Sequence, residues 1–218
     1  MSSFPGSPRL IKGAIIALGL LNPLPNVIVF QYNPDTMTRK LDARTPSGSE
    51  GADKSEALRF LGPPKETITL NIEFDATDGL EENNPLATKV GIYPALSALE
   101  ILLYPKSSLV IANAIAAQAG ILEVMPPEAP LTLFVWGPQR VLPVRLTSFS
   151  ITEEAYDTAL NPIRAKVDLS LLVLSYHDLK ISSPGYNISL AQQIAKEMMA
   201  MSNALNSIQS TGVSLKLF

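Results

Sequence analysis

His177 is the one histidine in this 218-residue sequence, and so the one side chain whose ordinary pKa suits proton transfer near neutral pH. Any Ser–His or Cys–His nucleophile would have to centre on it. With no second histidine and no cysteine, neither a two-histidine zinc site nor a thiolate cluster can form. It stands in Tyr176-His177-Asp178, where a strand-like run gives way to a turn, a setting that suits a structural or solvated histidine. Glu81-Glu82 and Glu153-Glu154 are adjacent carboxylates. Neighbours in sequence diverge on a strand or turn and cannot face each other as acid and base, so both pairs read as solvated faces. No G-x-S-x-G elbow, Walker loop or G-x-G-x-x-G occurs. Arg39, Arg59, Arg140, Arg145 and Arg164 are scattered through strands and turns, placed to meet acidic residues of neighbouring subunits. The expectation is a chain with no catalytic, cofactor-binding or metal-ligating residues, and not an enzyme.

Composition narrows the alternatives. Hydrophobic residues make up 46% and charged residues 17%, more apolar than a typical soluble domain. Either surface is buried between subunits or the chain has a large core of its own. A net charge of −3 leaves no electrostatic footprint for nucleic acid or an anionic membrane. Residues 13–21 follow Arg9 and Lys12 in the manner of a signal peptide, but end at Leu21-Asn22-Pro23 without a small-residue cleavage site, and read as a strand. Residues 107–124 stay uncharged until Glu123 yet fall short of the ~20 needed to span a bilayer. A buried or interface helix is expected there, with no membrane insertion.

The elements that would position these residues are mostly strands. After a flexible arm over residues 1–8, residues 10–20 and 26–32 form a hairpin across Asn22-Pro23-Leu24-Pro25. Residues 36–41 alternate as a short third strand, and 42–54 form a polar loop. Residues 66–74 have period two, with Ile68, Leu70, Ile72 and Phe74 on one face and Thr67, Thr69, Asn71 and Glu73 on the other. Residues 75–84 are an acidic loop. Residues 85–104 change to a helical period, broken or kinked near Gly91 and Pro94, and 107–122 continue as a second helical piece. Strands return in a hairpin, 131–136 with 141–146 across Gly137-Pro138-Gln139-Arg140. Pro143 points to an edge position or a bulge, and the phase change between Leu146 and Phe149 to a bulge at Thr147-Ser148. Residues 153–162 form a longer turn and 163–176 a long strand. Finally Ser189-Leu190-Ala191-Gln192 is a capping box opening an amphipathic helix, with Ile188, Ala191, Ile194, Met198, Met201, Leu205 and Ile208 on one stripe. A methionine-rich stripe packs on its own sheet or makes an adaptable docking face for a neighbour.

Phe30-Gln31-Tyr32-Asn33-Pro34, followed by Asp35-Thr36-Met37-Thr38-Arg39, reads physically as a strand and its proline terminator. It also resembles the opening signature of the tube-domain proteins of contractile injection systems and phage-tail-like particles. Residues 130–138, with Trp136, and 142–154 resemble that family's middle hairpin. Leu160-Asn161-Pro162-Ile163-Arg164-Ala165, Leu169-Ser170-Leu171 and Tyr176-His177-Asp178-Leu179 resemble its last strand, and residues 191–200 the helix that follows. Several motifs in the family's order are far more specific than one.

The resemblance implies an α+β, mainly β fold: an antiparallel tube-like β-barrel or sandwich over residues 9–182 with a helical insertion near 85–122, then a C-terminal amphipathic helix and tail over 183–218. It implies a structural baseplate or tube-initiator subunit, forming a homo-hexameric ring between a spike hub and the inner tube protein, with other baseplate proteins as partners. Assembly would occur in the cytoplasm, and the particle would be cytoplasmic, membrane-docked or released. Many relatives continue into a LysM module, the peptidoglycan-binding fold. Here the sequence runs to Phe218 after the helix, so an adaptor or initiator role is expected over cell-wall contact. Subunit contacts are expected at Phe30, Tyr32, Asn33, Pro34, Arg39, Trp136, Met198 and Met201, and in the 42–54 loop. Two other readings stand beside this one: a monomeric ligand-binding β-barrel lined by residues 68–74 and 167–173, and a hydrolase centred on His177.

Overall fold

The computed structural model describes residues 11–19, 25–45, 60–82, 84–120 and 129–211. Seven strands, β1 (Ala14–Leu18), β2 (Asn26–Val29), β3 (Met37–Asp42), β4 (Lys65–Asp75), β5 (Leu131–Val135), β6 (Val141–Tyr156) and β7 (Pro162–Val173), form one sheet in the order β2-β1-β5-β6-β7-β4-β3. Every neighbouring pair is antiparallel. Among the described residues five helices accompany the sheet: α1 (Thr77–Glu81), α2 (Pro85–Val90), α3 (Tyr93–Glu100), α4 (Ser107–Gln118) and α5 (Pro184–Thr211). The α+β, mainly β expectation holds. The barrel or sandwich does not form as such, because a single sheet is present and its edges β2 and β3 are not paired with each other.

The sheet is nevertheless strongly curled. The Phe30 amide donates to the Gly13 carbonyl at the start of β1 (2.9 Å), while the next residue, Gln31, bonds through its side chain to Asp75 at the end of β4 (2.7 and 2.8 Å). β1 and β4 are four places apart in the sheet order, about 19 Å if it were flat at ~4.8 Å per strand. Two consecutive residues can touch both only if the sheet bends round. One face carries the core, in which Ile15, Ile28, Phe30, Phe134, Val144, Ile68, Ile72, Val167, Leu169 and Leu171 form a single cluster with Leu96 and Leu99 of α3. α3 lies against β2, and the Asn26 side-chain amide donates to the Ala98 carbonyl (2.9 Å).

The opposite face is polar along β3, β4, β6 and β7. Ser148, Ser170, Thr69 and Thr38 lie on one transverse row, Ser150, Asp168 and Asn71 on the next, and Thr152, Lys166 and Glu73 on the third. The period-two alternation of β4 and β7 thus continues across four strands.

Local departures from the sequence expectation have physical causes. The acidic loop after β4 contains α1, opened by the Asp75 carboxylate accepting from the Thr77 amide. Pro143 is buried mid-strand in β6, between β5 and β7, and not at an edge. Its carbonyl accepts from the Leu174 amide, one step past the last β6–β7 rung at Val144 and Val173, so the proline stands at the end of that ladder, where a missing N–H interrupts no further rung. The bulge at Leu146/Ser148 is present as expected. β6 runs on to Tyr156, so Glu153 and Glu154 belong to a strand. The turn is confined to residues 157–161, where the Asp157 carboxylate accepts from Ala159 (2.7 Å) and Asn161 (2.8 Å). α5 begins at Pro184, ahead of the expected capping box, because Ser183-Pro184 supplies an accepting hydroxyl for the Tyr186 amide (3.2 Å) and a preset φ. The helical break at Gly91 falls as expected, but α4 has no buried residue in the protomer. The 1–8 arm, the 46–54 part of the polar loop, Arg59, and the 212–218 tail lie outside the described residues. No described helix is long and apolar enough to cross a membrane.

Gly91 locks the helical insertion to the sheet. It ends α2 at φ 57°, and a Cβ there would overlap the Pro162 carbonyl oxygen, which also accepts from the Ile92 amide (3.0 Å). Gly91→Ala is expected to cost about 1–3 kcal/mol in backbone strain alone, with the overlap added to it. A melting curve that matches the unsubstituted protein would refute this account.

Candidate assembly surface

The turn after β2 is built by backbone-mimicking side chains. Asn33 accepts from the Gly13 amide (2.8 Å) and donates to the Ile11 carbonyl (2.9 Å), pairing with the start of β1 as a strand residue would. Gln31 does the same at the end of β4, donating to the Asp75 carbonyl and accepting from its amide. Phe30 is fully buried. Its ring centroid lies 6.4 Å from both Phe134 and Trp136, which stack on each other at 5.9 Å. Gly13 sits under this cluster so closely that a Cβ would strike Phe30 and Trp136.

The expected contact residues therefore fall into two groups. Phe30 faces its own core, Trp136 is partly buried against it, and the Asn33 amide is spent on β1. Arg39 is held by the buried carboxylate of Glu66 (2.6 Å), which Lys196 of α5 also approaches (3.6 Å). These residues shape and hold the surface. Tyr32, 45% exposed beside half-buried Pro34, and Met198 and Met201, 64% and 66% exposed, present side chains outward.

The outward group has neighbours that single-residue reading missed. Along α5, Ala191, Ile194, Met198, Met201 and Leu205 are spaced alternately by three and four, the seam of a helix that packs against another helix. Residues 196–207 are exposed throughout. Val110, Ile111 and Ile115 are exposed on α4, and Val27 and Val29 on the free edge strand β2. Gln31, too, was passed over, although it lies inside the signature motif; a polar side chain between two aromatic residues at a strand end was the available clue.

Two carboxylates staple the far ends of the strands. Burial raises Asp178, but the Ser175 hydroxyl and the Arg44 guanidinium (2.9 Å) outweigh it and leave the carboxyl below its ordinary value. Asp75 is likewise pushed up by burial and down further by Thr77 and Arg164 (2.7 Å), ending below its ordinary value. A carboxylate lowered on folding stabilises the fold fully above its unfolded value, 3.8, and loses that contribution as pH falls through the lower folded value. The melting temperature is expected to decline below about pH 4, and Asp75→Asn with Asp178→Asn to flatten that decline. An acid limb of unchanged slope in the double variant would count against both staples.

No three His, Cys, Asp or Glu side chains among the described residues are grouped to hold a metal. His177 stands exposed beside Gly62, and the adjacent Asp178 is already engaged by Ser175 and Arg44. The faces expected to line a ligand pocket, on β4 and β7, pack instead into the shared core.

What the fold and this surface define is a mainly-β scaffold with two sheet edges, β2 and β3, that no other strand among the described residues pairs, and with outward apolar helix faces. The chain belongs to the contractile injection system tube protein family, whose model matches residues 22–180. No curated protein matches it.

Proposed function

We propose that the protein is a non-enzymatic ring subunit of a contractile injection particle, acting at the baseplate as the initiator or adaptor that joins the spike hub to the inner tube. The observation that carries this reading is the pair of edges, β2 and β3, unpaired among the described residues, at opposite ends of one curled sheet in a member of a tube-protein family. An unpaired edge is a row of unmet donors and acceptors that natural proteins cover or use. Pairing β2 of one copy with β3 of the next is a heterologous contact, and repetition of such a contact closes a ring when the rotation permits. Six copies are proposed from the family resemblance.

In that ring the polar rows of β3, β4, β6 and β7 face the channel, a mix of Ser, Thr and Asn with the charged Asp168, Lys166 and Glu73 that presents cargo with a hydrated wall. Tyr32, Pro34 and the Met198/Met201 face of α5 meet the other subunits. Assembly takes place in the cytoplasm, before or during docking of the particle.

Light scattering after size exclusion tests the reading, on the protein alone and with its neighbouring tube and spike-hub proteins. The expected mass is that of about six copies, alone or once those partners are added. A monomer indifferent to both partners would overturn it.

A further inference from the structure

We propose that Gln31 and Asn33 form an intramolecular clasp that locks the curl of the sheet and so fixes the separation of its two free edges. The proposal deepens the ring reading, since the edge-to-edge distance is what each copy would contribute to a ring, but it concerns the protomer and is tested there. Three observations carry it. The connection between the opposite edges is residues 30–36 alone, and it sits where the two ends of the sheet come together. Within it, each of the two amides makes a two-bond, strand-like pairing with backbone: Asn33 with Ile11 and Gly13, Gln31 with both polar groups of Asp75. Between them they hold β1 to β4, strands that have no ladder to each other.

The geometry also explains why amides are required. Each position donates to one backbone group and accepts from another, and the primary amide of Asn or Gln carries both functions on one rigid plane without depending on pH. Their lengths are not interchangeable. Asn33 reaches β1, to which the chain is already tied by the bond from Phe30 to Gly13, whereas Gln31 must reach the far end of the sheet. Tyr32, between them, is held with its ring outward, so the clasp also positions an exposed aromatic of the candidate assembly surface.

The chain has no cysteine, so two can be introduced without interference. Val27→Cys on β2 and Thr38→Cys on β3, both exposed, take spin labels whose separation is read by pulsed electron resonance. The unsubstituted clasp should give one narrow distance distribution. Gln31→Ala should at least double its width, and hydrogen exchange at the Asp75 amide should quicken about tenfold. Gln31→Glu keeps an acceptor for the Asp75 amide but turns a carboxylate toward the Asp75 carbonyl, and should broaden the distribution less. It also serves if the alanine variant fails to fold. An equally narrow distribution with unchanged exchange in the folded variants would overturn the clasp. Both readouts come from the isolated protomer, so they stand whether or not copies go on to form a ring.

Discussion

Alanine in place of Phe30 is expected to destabilise the protomer by about 3–5 kcal/mol, as large buried aromatics do when truncated. In a chain of this size that lowers the melting midpoint by roughly 10 °C. The effect is large because three consequences coincide. Phe30 is fully buried, so its removal leaves a cavity and not a dimple. It is one of three rings in mutual contact with Phe134 and Trp136, so two further side chains lose a packing partner. Its backbone is also the hinge between the Gly13 bond and the Gln31 bond, so a looser residue 30 slackens the approach of β1 to β4. Phe30→Leu, which refills most of the volume, should recover most of the loss. A midpoint within 2 °C of the original for the alanine variant, read by calorimetry, would show that the aromatic cluster is not the centre of the fold.

The second expectation concerns assembly. Met198→Asp with Met201→Asp should leave the protomer folded, since both residues are exposed and surface substitutions usually shift stability by less than about 0.5 kcal/mol. Incorporation into particles should fall by at least about tenfold, because an interface cannot bury two unpaired carboxylates without cost. The face is suited to this test, as the chain carries no charge between Glu197 and Thr211 that could rescue the variant by a new ion pair. Asp substituted instead at Ala200 and Asn203, off the seam, should leave incorporation near normal. Particle yield, measured by sedimentation, that is equal for all variants would remove α5 from the assembly surface.

The strand content was legible because it rests on short-range alternation. β4 and β7 announce themselves by period two, and the phase change from Leu146 to Phe149 located the bulge. What stayed hidden was non-local. Nothing in residues 30–36 says that they join opposite edges of one sheet, because that depends on where β5, β6 and β7 insert. The same holds for the burial of Phe30 against Phe134 and Trp136, about a hundred residues away in sequence. Pro143 misled because a proline's tolerance depends on which neighbour its nitrogen faces, and sequence does not show sides. Among the expected contact residues, residue type does not give direction: Met198 and Met201 point out, Phe30 points in.

The strand order has a consequence for synthesis. β1 and β2 are translated together early, as are β3 and β4, yet the strands that stand between these two hairpins in the sheet, residues 131–173, are translated later. Until the ribosome has passed residue 173, the nascent chain holds the two hairpins, joined by residues 30–36, and the uncharged helix α4, but lacks the strands that complete the sheet and fill its core. Folding must then be largely posttranslational and governed by long-range closure, which is slow. During that interval the strand edges that β5, β6 and β7 later cover are open to wrong partners. A cell that makes this subunit faster than β5, β6 and β7 can slot between the waiting ribbons should accumulate aggregates before it lacks rings.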